Sequence, residues 1–320
     1  MRVGAEMKEI ISYLKTIPIF AQAKNSKLNL NFFKIIIVFF TLWGGGLLVG
    51  RLIALPIVNL ISRDTLISES ISEMLRKFLV CGTQIFIFFI WVKCVEKREI
   101  KTMGFQGPHG IRAYFKGALI GFCSSTLITI ILLIFGEVRI TMTTSGSQYM
   151  YISESIFIMS IGWVIQSASE EIAIRGWLIP ILGIRYKPIM AVIMQGVVFG
   201  GIHLLNSNVT VLSFTNLILS GIFFATYLIY SENIWSVCGI HFAWNLALGN
   251  IYGYNVSGFE PVGGSIFKTT QIGSNFLTGG TFGPEGGFVT TIVLASGIII
   301  LSYIVYKKYL NSKSTKTYIV

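Results

Sequence analysis

Eight apolar segments constrain this chain more than any other feature: 32–55, 78–95, 114–136, 155–181, 188–206, 210–230, 233–252 and 287–306. Crossing a bilayer as a helix takes about 20 predominantly apolar residues. Inside hydrocarbon every backbone N–H and C=O must be satisfied within the protein, which leaves helices and closed barrels. These runs are near-continuous rather than alternating, which argues against a barrel. The expected fold is all-α, a polytopic membrane helix bundle of about eight transmembrane helices. Only 12% of the 320 residues are charged, against about 25% in soluble domains. A water-soluble globule and a disordered chain are both excluded on that ground. The connectors are short, so any chemistry belongs inside the bundle.

The net charge of +11 reads as loop charge facing anionic lipid headgroups, not as a nucleic-acid footprint. Membrane lipids are expected partners and nucleic acid is not. With both termini cytoplasmic, 17 of the 25 Lys and Arg fall on the inner side. Five fall outside (Arg63, Arg76, Lys77, Arg139 and Lys268) and three lie within spans (Lys34, Arg51 and Arg175). That bias predicts a cell-membrane protein with N-in, C-in orientation. The beginning of the chain lacks the pattern of a cleavable signal peptide. Residues 7–17 place Met7, Ile10, Ile11, Leu14 and Ile17 at helical spacing. They read as an amphipathic helix on the inner membrane surface or as an ordinary tail.

The four cysteines form no CxxC pair, which argues against a disulfide framework or zinc knuckle. The longest connector, 253–286, is rich in Gly, Ser and Thr. It reads as a flexible loop, with a substrate-contacting lid as the sharper alternative. The absence of a visible internal repeat weakens an inverted-repeat transporter. The expected organisation is a cytoplasmic segment 1–31, helices 1–3 over 32–154, a core over 155–306 and a basic tail 307–320.

Twelve of the fourteen acids lie in tails, loops or span ends, and the exceptions are Glu170 and Glu171, with Arg175 following. A charge at the centre of a membrane helix costs about 2.5–3.5 kcal/mol on insertion scales. Three in six residues are retained only if paired, wet or functional. Glu171 and Arg175, four residues apart, stack on one helix face in the favourable order for an ion pair. Glu170 points about 100° away. The expectation is a structural Glu171–Arg175 pair and a reactive Glu170. Two further spans contribute Phe199 with His203, and His241 with Asn245, each pair again four residues apart. His109 sits in a basic loop and reads as an ordinary loop residue.

Two routes fit Glu170, His203, His241 and Asn245. Glu170, His203 and His241 match a catalytic zinc ligand set with a fourth position for water. Alternatively, without metal, Glu170 takes a proton from a water oriented by His203, while His241 and Asn245 donate to an oxyanion. Both are hydrolysis of an amide by activated water. The chain has no HExxH, no nucleophile elbow, no P-loop and no dinucleotide fingerprint. Ser167 and Ser169 precede the glutamates, but nothing marks either as a nucleophile. One geometric condition stands: Glu170 lies near the inner third of its span and His203 toward the outer end of the next. They meet if the fourth helix runs on to about Leu182 or if the helices tilt, and Pro180 is a candidate kink.

EExxxR on one span, FxxxH on the next and HxxxN on a later one resemble the CAAX protease and bacteriocin-processing family (CPBP, or Abi), which includes the type II CAAX prenyl endopeptidases. GPEGGFVTTI, from Gly283, is similar to the segment opening that family's last helix. The resemblance covers about 155–306. It implies an intramembrane endopeptidase with its site open to the cytoplasm. It places Glu170 and His203 at the water and His241 and Asn245 at the oxyanion, with Glu171, Arg175 and Phe199 completing the motifs. Members are described both as metalloproteases and as metal-independent glutamate proteases, so zinc and no metal both remain open. Type II CAAX enzymes cut after a prenylated cysteine. The composition looks bacterial, and bacterial relatives process peptides such as bacteriocins or pheromones, or act in self-immunity. A membrane-associated peptide or protein is therefore the expected substrate. The alternative is a non-proteolytic membrane scaffold or immunity protein of the same fold.

Overall fold

The computed structural model describes residues 2–26, 28, 30–61, 64–105, 109–143 and 148–317. Lys27 and Arg63, both counted in the charge bias, lie outside the described residues, as do 106–108 of the basic loop. Among the described residues, ten of the helices carry the architecture. They are α1 (Arg2–Leu14), α2 (Phe32–Val58), α3 (Leu66–Ile90), α4 (Gly110–Ile134) and α5 (Gln148–Glu171), then α6 (Ile179–Arg185), α7 (Pro188–Ile202), α8 (Val211–Ser231), α9 (Ile234–Leu246) and α10 (Phe288–Thr317).

All eight apolar segments are helical over most of their length, with 203–206 of the fifth lying beyond the end of α7. Five of the helices are long and apolar enough to cross a membrane: Phe32–Val58, Leu66–Val95, Gly110–Ile134, Val211–Ser231 and Phe288–Ser314. The remaining three segments hold Glu170, Glu171, Arg175, His203, His241 and Asn245. Their polar residues and, for α7 and α9, their short length set them apart from those five. α3 begins at Leu66 rather than at 78. Thr65 and Ser68 form a reciprocal capping box there, which satisfies two of the amides a helix start leaves open.

The helices approach closely where glycine allows it. A Cβ on Gly117 or Gly121 of α4 would strike the backbone carbonyls of Ser236 and Ile240, and one on Gly239 of α9 would strike that of Tyr114. This small-residue seam brings α4 and α9 nearly backbone to backbone, and it sets the depth at which α9 carries His241.

The two termini lie on one side of the bundle. The helix expected over 7–17 forms as α1 and docks on the end of α10. Tyr306 Oη donates to Glu6 Oε1 at 2.7 Å, and Lys313 Nζ to Glu9 Oε2 at 2.6 Å. Lys313, with Tyr309, holds the Glu9 carboxyl below its ordinary range.

On the opposite side a two-stranded antiparallel sheet departs from the all-helical expectation. β1 (Val138–Met142) pairs with β2 (Phe267–Gln271), with Val138 opposite Gln271 and Met142 opposite Phe267. Both strands are rich in residues suited to a half-exposed pleat. The pairing ties the 253–286 connector to the end of α4, so this connector is a folded cover. Buried asparagines fasten it further. Asn250 Nδ2 donates to the carbonyls of Val262 and Gly264, both at 2.8 Å. Asn216 Nδ2 donates to those of Glu285 and Gly287, both at 2.8 Å.

Candidate active site

α5 ends in a π-helical stretch, Ile172–Leu178, which runs directly into α6. The helix therefore continues past Arg175 to Arg185, as the geometric condition required, and Glu170 falls near its middle. A π-turn inserted in an α-helix often marks a functional site. This one is anchored by Trp177, whose Nε1 donates to the buried Glu96 carboxylate; that carboxylate also accepts from Trp91 Nε1 at 3.1 Å and Arg98 Nε at 2.6 Å.

The expected ion pair forms. Arg175 Nη1 donates to Glu171 Oε1 at 3.1 Å, and both side chains are fully buried. Arg175 Nη2 donates to the Gly221 carbonyl at 3.3 Å, and its Cζ lies 4.5 Å above the Phe199 ring and 5.3 Å from that of Phe224. A desolvated guanidinium is thus matched by a carboxylate, a carbonyl and two aromatic faces. Glu171 has a second duty that its spacing from Arg175 did not reveal. Its Oε1 also accepts from His241 Nδ1 at 2.9 Å.

His203 is the residue that ends α7, and its Nδ1 donates to the Phe199 carbonyl at 2.7 Å. Phe199 therefore works twice, its ring covering Arg175 and its carbonyl holding His203. A carbonyl and an ionised carboxylate can only accept, so both histidines carry their proton on Nδ1. In the neutral imidazole this leaves Nε2 as a bare acceptor.

The two Nε2 atoms converge on Glu170 Oε2, at 3.9 Å each. Glu170 Oε1 accepts from Gln166 Nε2 at 2.7 Å, while Oε2 is buried with no hydrogen-bond partner among the described residues. Asn245 lies one turn beyond His241 and is 3% exposed, and its side chain makes no hydrogen bond among the described residues. All seven residues singled out by the motifs therefore gather in one place, Glu170, Phe199, His203, His241 and Asn245 on the wall of one cavity and Glu171 and Arg175 behind it.

That cavity holds about 620 Å³. Its exposed rim, the mouth, carries Arg51 of α2 and Phe259 and Glu260 of the connector, while Lys77 of α3 and Asn206 after α7 line it as partly buried residues. The connector is thus part of the site, which favours the lid-like reading over a loose loop. All these groups lie at the bundle end opposite the termini. Two expectations from the sequence therefore exclude each other: cytoplasmic termini, and a site open to the cytoplasm.

As placed, Glu170, His203 and His241 do not form a metal cluster, nor does any other group of three such side chains among the described residues. Zinc bonds of about 2.0–2.1 Å put tetrahedral ligand atoms about 3.3–3.4 Å apart, closer than the 3.9 Å found here.

Four contributors went unread in the sequence. Gln166 orients Glu170, and its Oε1 accepts from Lys77 Nζ at 3.5 Å. Glu285 pins the cover: its Oε1 accepts from Trp244 Nε1 at 3.0 Å, and its Oε2 from Ser257 N at 2.5 Å and Ser257 Oγ at 2.8 Å. Gln166 had a local signal, four residues before Glu170. Trp244 lies within the HxxxN string and Glu285 within GPEGG, but nothing in either string marked their role, and Lys77 comes from a distant element with no signal at all.

The family model described as type II CAAX prenyl endopeptidase Rce1-like matches residues 152–247. The chain carries an Rce1-like domain. Its limits enclose Glu170, Glu171, Arg175, Phe199, His203, His241 and Asn245, in agreement with the resemblance drawn from the motifs. The likeness noted from Gly283 onward lies beyond the matched stretch. No match was found among curated proteins or among solved structures. The match supports an intramembrane protease in general, in a bundle whose apolar helices suit a membrane.

Proposed function

We propose that this Rce1-like protein hydrolyses a peptide bond of a membrane-associated peptide or protein, using water activated by Glu170. The supporting observation is the convergence of Glu170 Oε2, His203 Nε2 and His241 Nε2, at 3.9 Å from the carboxylate oxygen to each nitrogen. Three acceptors facing one another cannot satisfy each other. They need something that donates, and a water fits between a carboxylate and two imidazoles with hydrogen bonds of ordinary length.

The chemistry follows from the donors and acceptors. Glu170 takes one proton of that water, and His203 Nε2 accepts its second hydrogen and fixes the lone pair. The water oxygen bonds to the scissile carbonyl carbon, and the π pair moves onto the carbonyl oxygen. Asn245, whose amide is unengaged, donates to that oxyanion. On collapse the C–N bond breaks and Glu170 returns its proton to the leaving amine. His241 donates to the oxyanion only as an imidazolium, because its Nδ1 proton is committed to Glu171. The carboxylates of Glu171 and Glu170 flank that cation. Were zinc recruited, the same three atoms would have to close in to hold it.

The charge bias favours cytoplasmic termini, and with them the mouth opens on the outer face. A secreted or surface peptide undergoing maturation, bacteriocin-like or pheromone-like, fits that access. Residues 155–306 would form the catalytic core, including the cover that the matched stretch omits. The test is comparative proteomics of membranes and secreted peptides from cells carrying the wild type or Glu170→Ala at matched abundance. A peptide whose cleavage vanishes in the variant supports the proposal and names the substrate. Full rescue of a deletion phenotype by the variant, with no peptide changed, establishes the scaffold instead.

A further inference from the structure

A second cavity, of about 660 Å³, lies at the opposite end of the bundle, among the first turns of α4 and α9 and the last turn of α8. Its wall includes Arg112, Lys116 and Lys308, against a single acid, Glu232. Arg112 and Lys116 stand on successive turns of α4. Both are exposed, and neither has an ion-pair partner among the described residues. Lys308 is held in place, its Nζ donating to the Tyr230 carbonyl at 2.7 Å. α4 opens without a side-chain cap, so the positive end of its dipole adds to this field. Tyr227 also lines the cavity. It is 6% exposed, and its hydroxyl has no partner among the described residues.

The chemistry of this wall calls for an anion with several acceptor oxygens. The adjoining surface decides which anion. Ile111, Phe115 and Leu119 run down α4 beside Arg112 and Lys116, and they are 78%, 67% and 63% exposed. An apolar stripe leading away from a basic cavity matches an acyl chain below a phosphate. A soluble anion would gain nothing from it. Basic pockets between membrane helices recur as sites for anionic headgroups.

We propose that this cavity binds the phosphate headgroup of an anionic phospholipid. Arg112 and Lys116 pair with the phosphate, Tyr227 donates to one of its oxygens, and an acyl chain follows Ile111, Phe115 and Leu119. The site is distinct from the catalytic cavity and does not depend on proteolysis.

The test is native mass spectrometry of the full chain in detergent, titrated with phosphatidylglycerol, with phosphatidylcholine or with inorganic phosphate. Phosphatidylglycerol is expected to stay bound and phosphatidylcholine to be lost. The Arg112→Gln/Lys116→Gln pair should weaken phosphatidylglycerol binding about thirty-fold, from two charges near a headgroup. Tyr227→Phe, which removes only a hydroxyl, should weaken it about ten-fold. Lys24→Gln/Lys93→Gln, two exposed lysines outside the cavity, should change it less than two-fold. Equal loss in both lysine-containing pairs reduces the effect to general charge attraction and overturns the site. Unchanged binding in the Arg112 and Lys116 pair and in Tyr227→Phe overturns it as well. Displacement of the lipid by inorganic phosphate at equal concentration assigns the cavity to a soluble anion and overturns the lipid.

Discussion

Glu171 and His241 are joined at 2.9 Å, through the same carboxylate oxygen that accepts from Arg175. One carboxylate thus neutralises a buried arginine and orients a histidine of the site. The two duties separate by mutation. Glu171→Gln strands the Arg175 charge, and removing one partner of a buried pair costs about 3–5 kcal/mol. Adding Arg175→Gln removes that charge, so the double variant should recover much of the melting temperature in detergent. Its cleavage should stay low, because His241 Nδ1 has lost its charged acceptor. If cleavage returns in step with stability, Glu171 acts through Arg175 alone.

Gln166 offers a test of how Glu170 is aimed. Its amide occupies Oε1 and leaves Oε2 to the histidines. Gln166→Leu should keep the fold and lower kcat by about 10–100-fold, the usual scale for losing an orienting partner of a reactive ligand. KM should change little, since the side chain supports the carboxylate and not the substrate. Lys77→Met, one hydrogen bond further out, should act in the same direction with smaller effect. A Gln166→Leu enzyme of normal kcat would show that the carboxylate is held by its burial alone.

The helices and the motif residues were legible because both rest on local periodicity. Apolar length gave the spans, and spacings of four gave Glu171 with Arg175 and Phe199 with His203. The link from His241 to Glu171 was not legible, because it joins residues 70 apart through the packing of α9. Nor was the cover. Gly and Ser between apolar runs signal a turn, but the groups that fasten it, Asn216, Asn250 and Glu285, acquire meaning only once the bundle has brought their acceptors and donors near. The start of α3 was missed for another reason. Seven of the ten residues from Ser68 to Lys77 are polar or charged, and hydropathy alone cannot see a helix that continues through such a stretch.

Glu285 ties the cover to the wall that carries His241 and Asn245, through Trp244 between them. Glu285→Ala leaves Trp244 Nε1 and the Ser257 amide without their acceptor, at about 1–3 kcal/mol for each group that stays buried. The effect should be local. An added protease should nick 255–262 faster than in the wild type, and KM should rise more than kcat falls. Equal nicking rates would place the hold on this loop in Asn250 and the β1–β2 pairing.

The mouth and the termini occupy opposite ends of the bundle, so labelling one residue on each fixes the orientation of the site. Glu260 is exposed at the mouth, and Lys24 is exposed on the side of the termini. Cys94 and Cys123 are exposed, so the native cysteines are first replaced by serine or alanine. In intact cells a membrane-impermeant maleimide should then label Glu260→Cys at once. Lys24→Cys should label only after the membrane is opened. The basis is the excess of Lys and Arg on the terminal side, where each cation favours the cytoplasmic face. Labelling of Lys24→Cys alone would reverse the topology. The carboxylate of Glu170 would then face cytoplasmic substrates, and a peptide cleaved outside the cell could not be the product of this site.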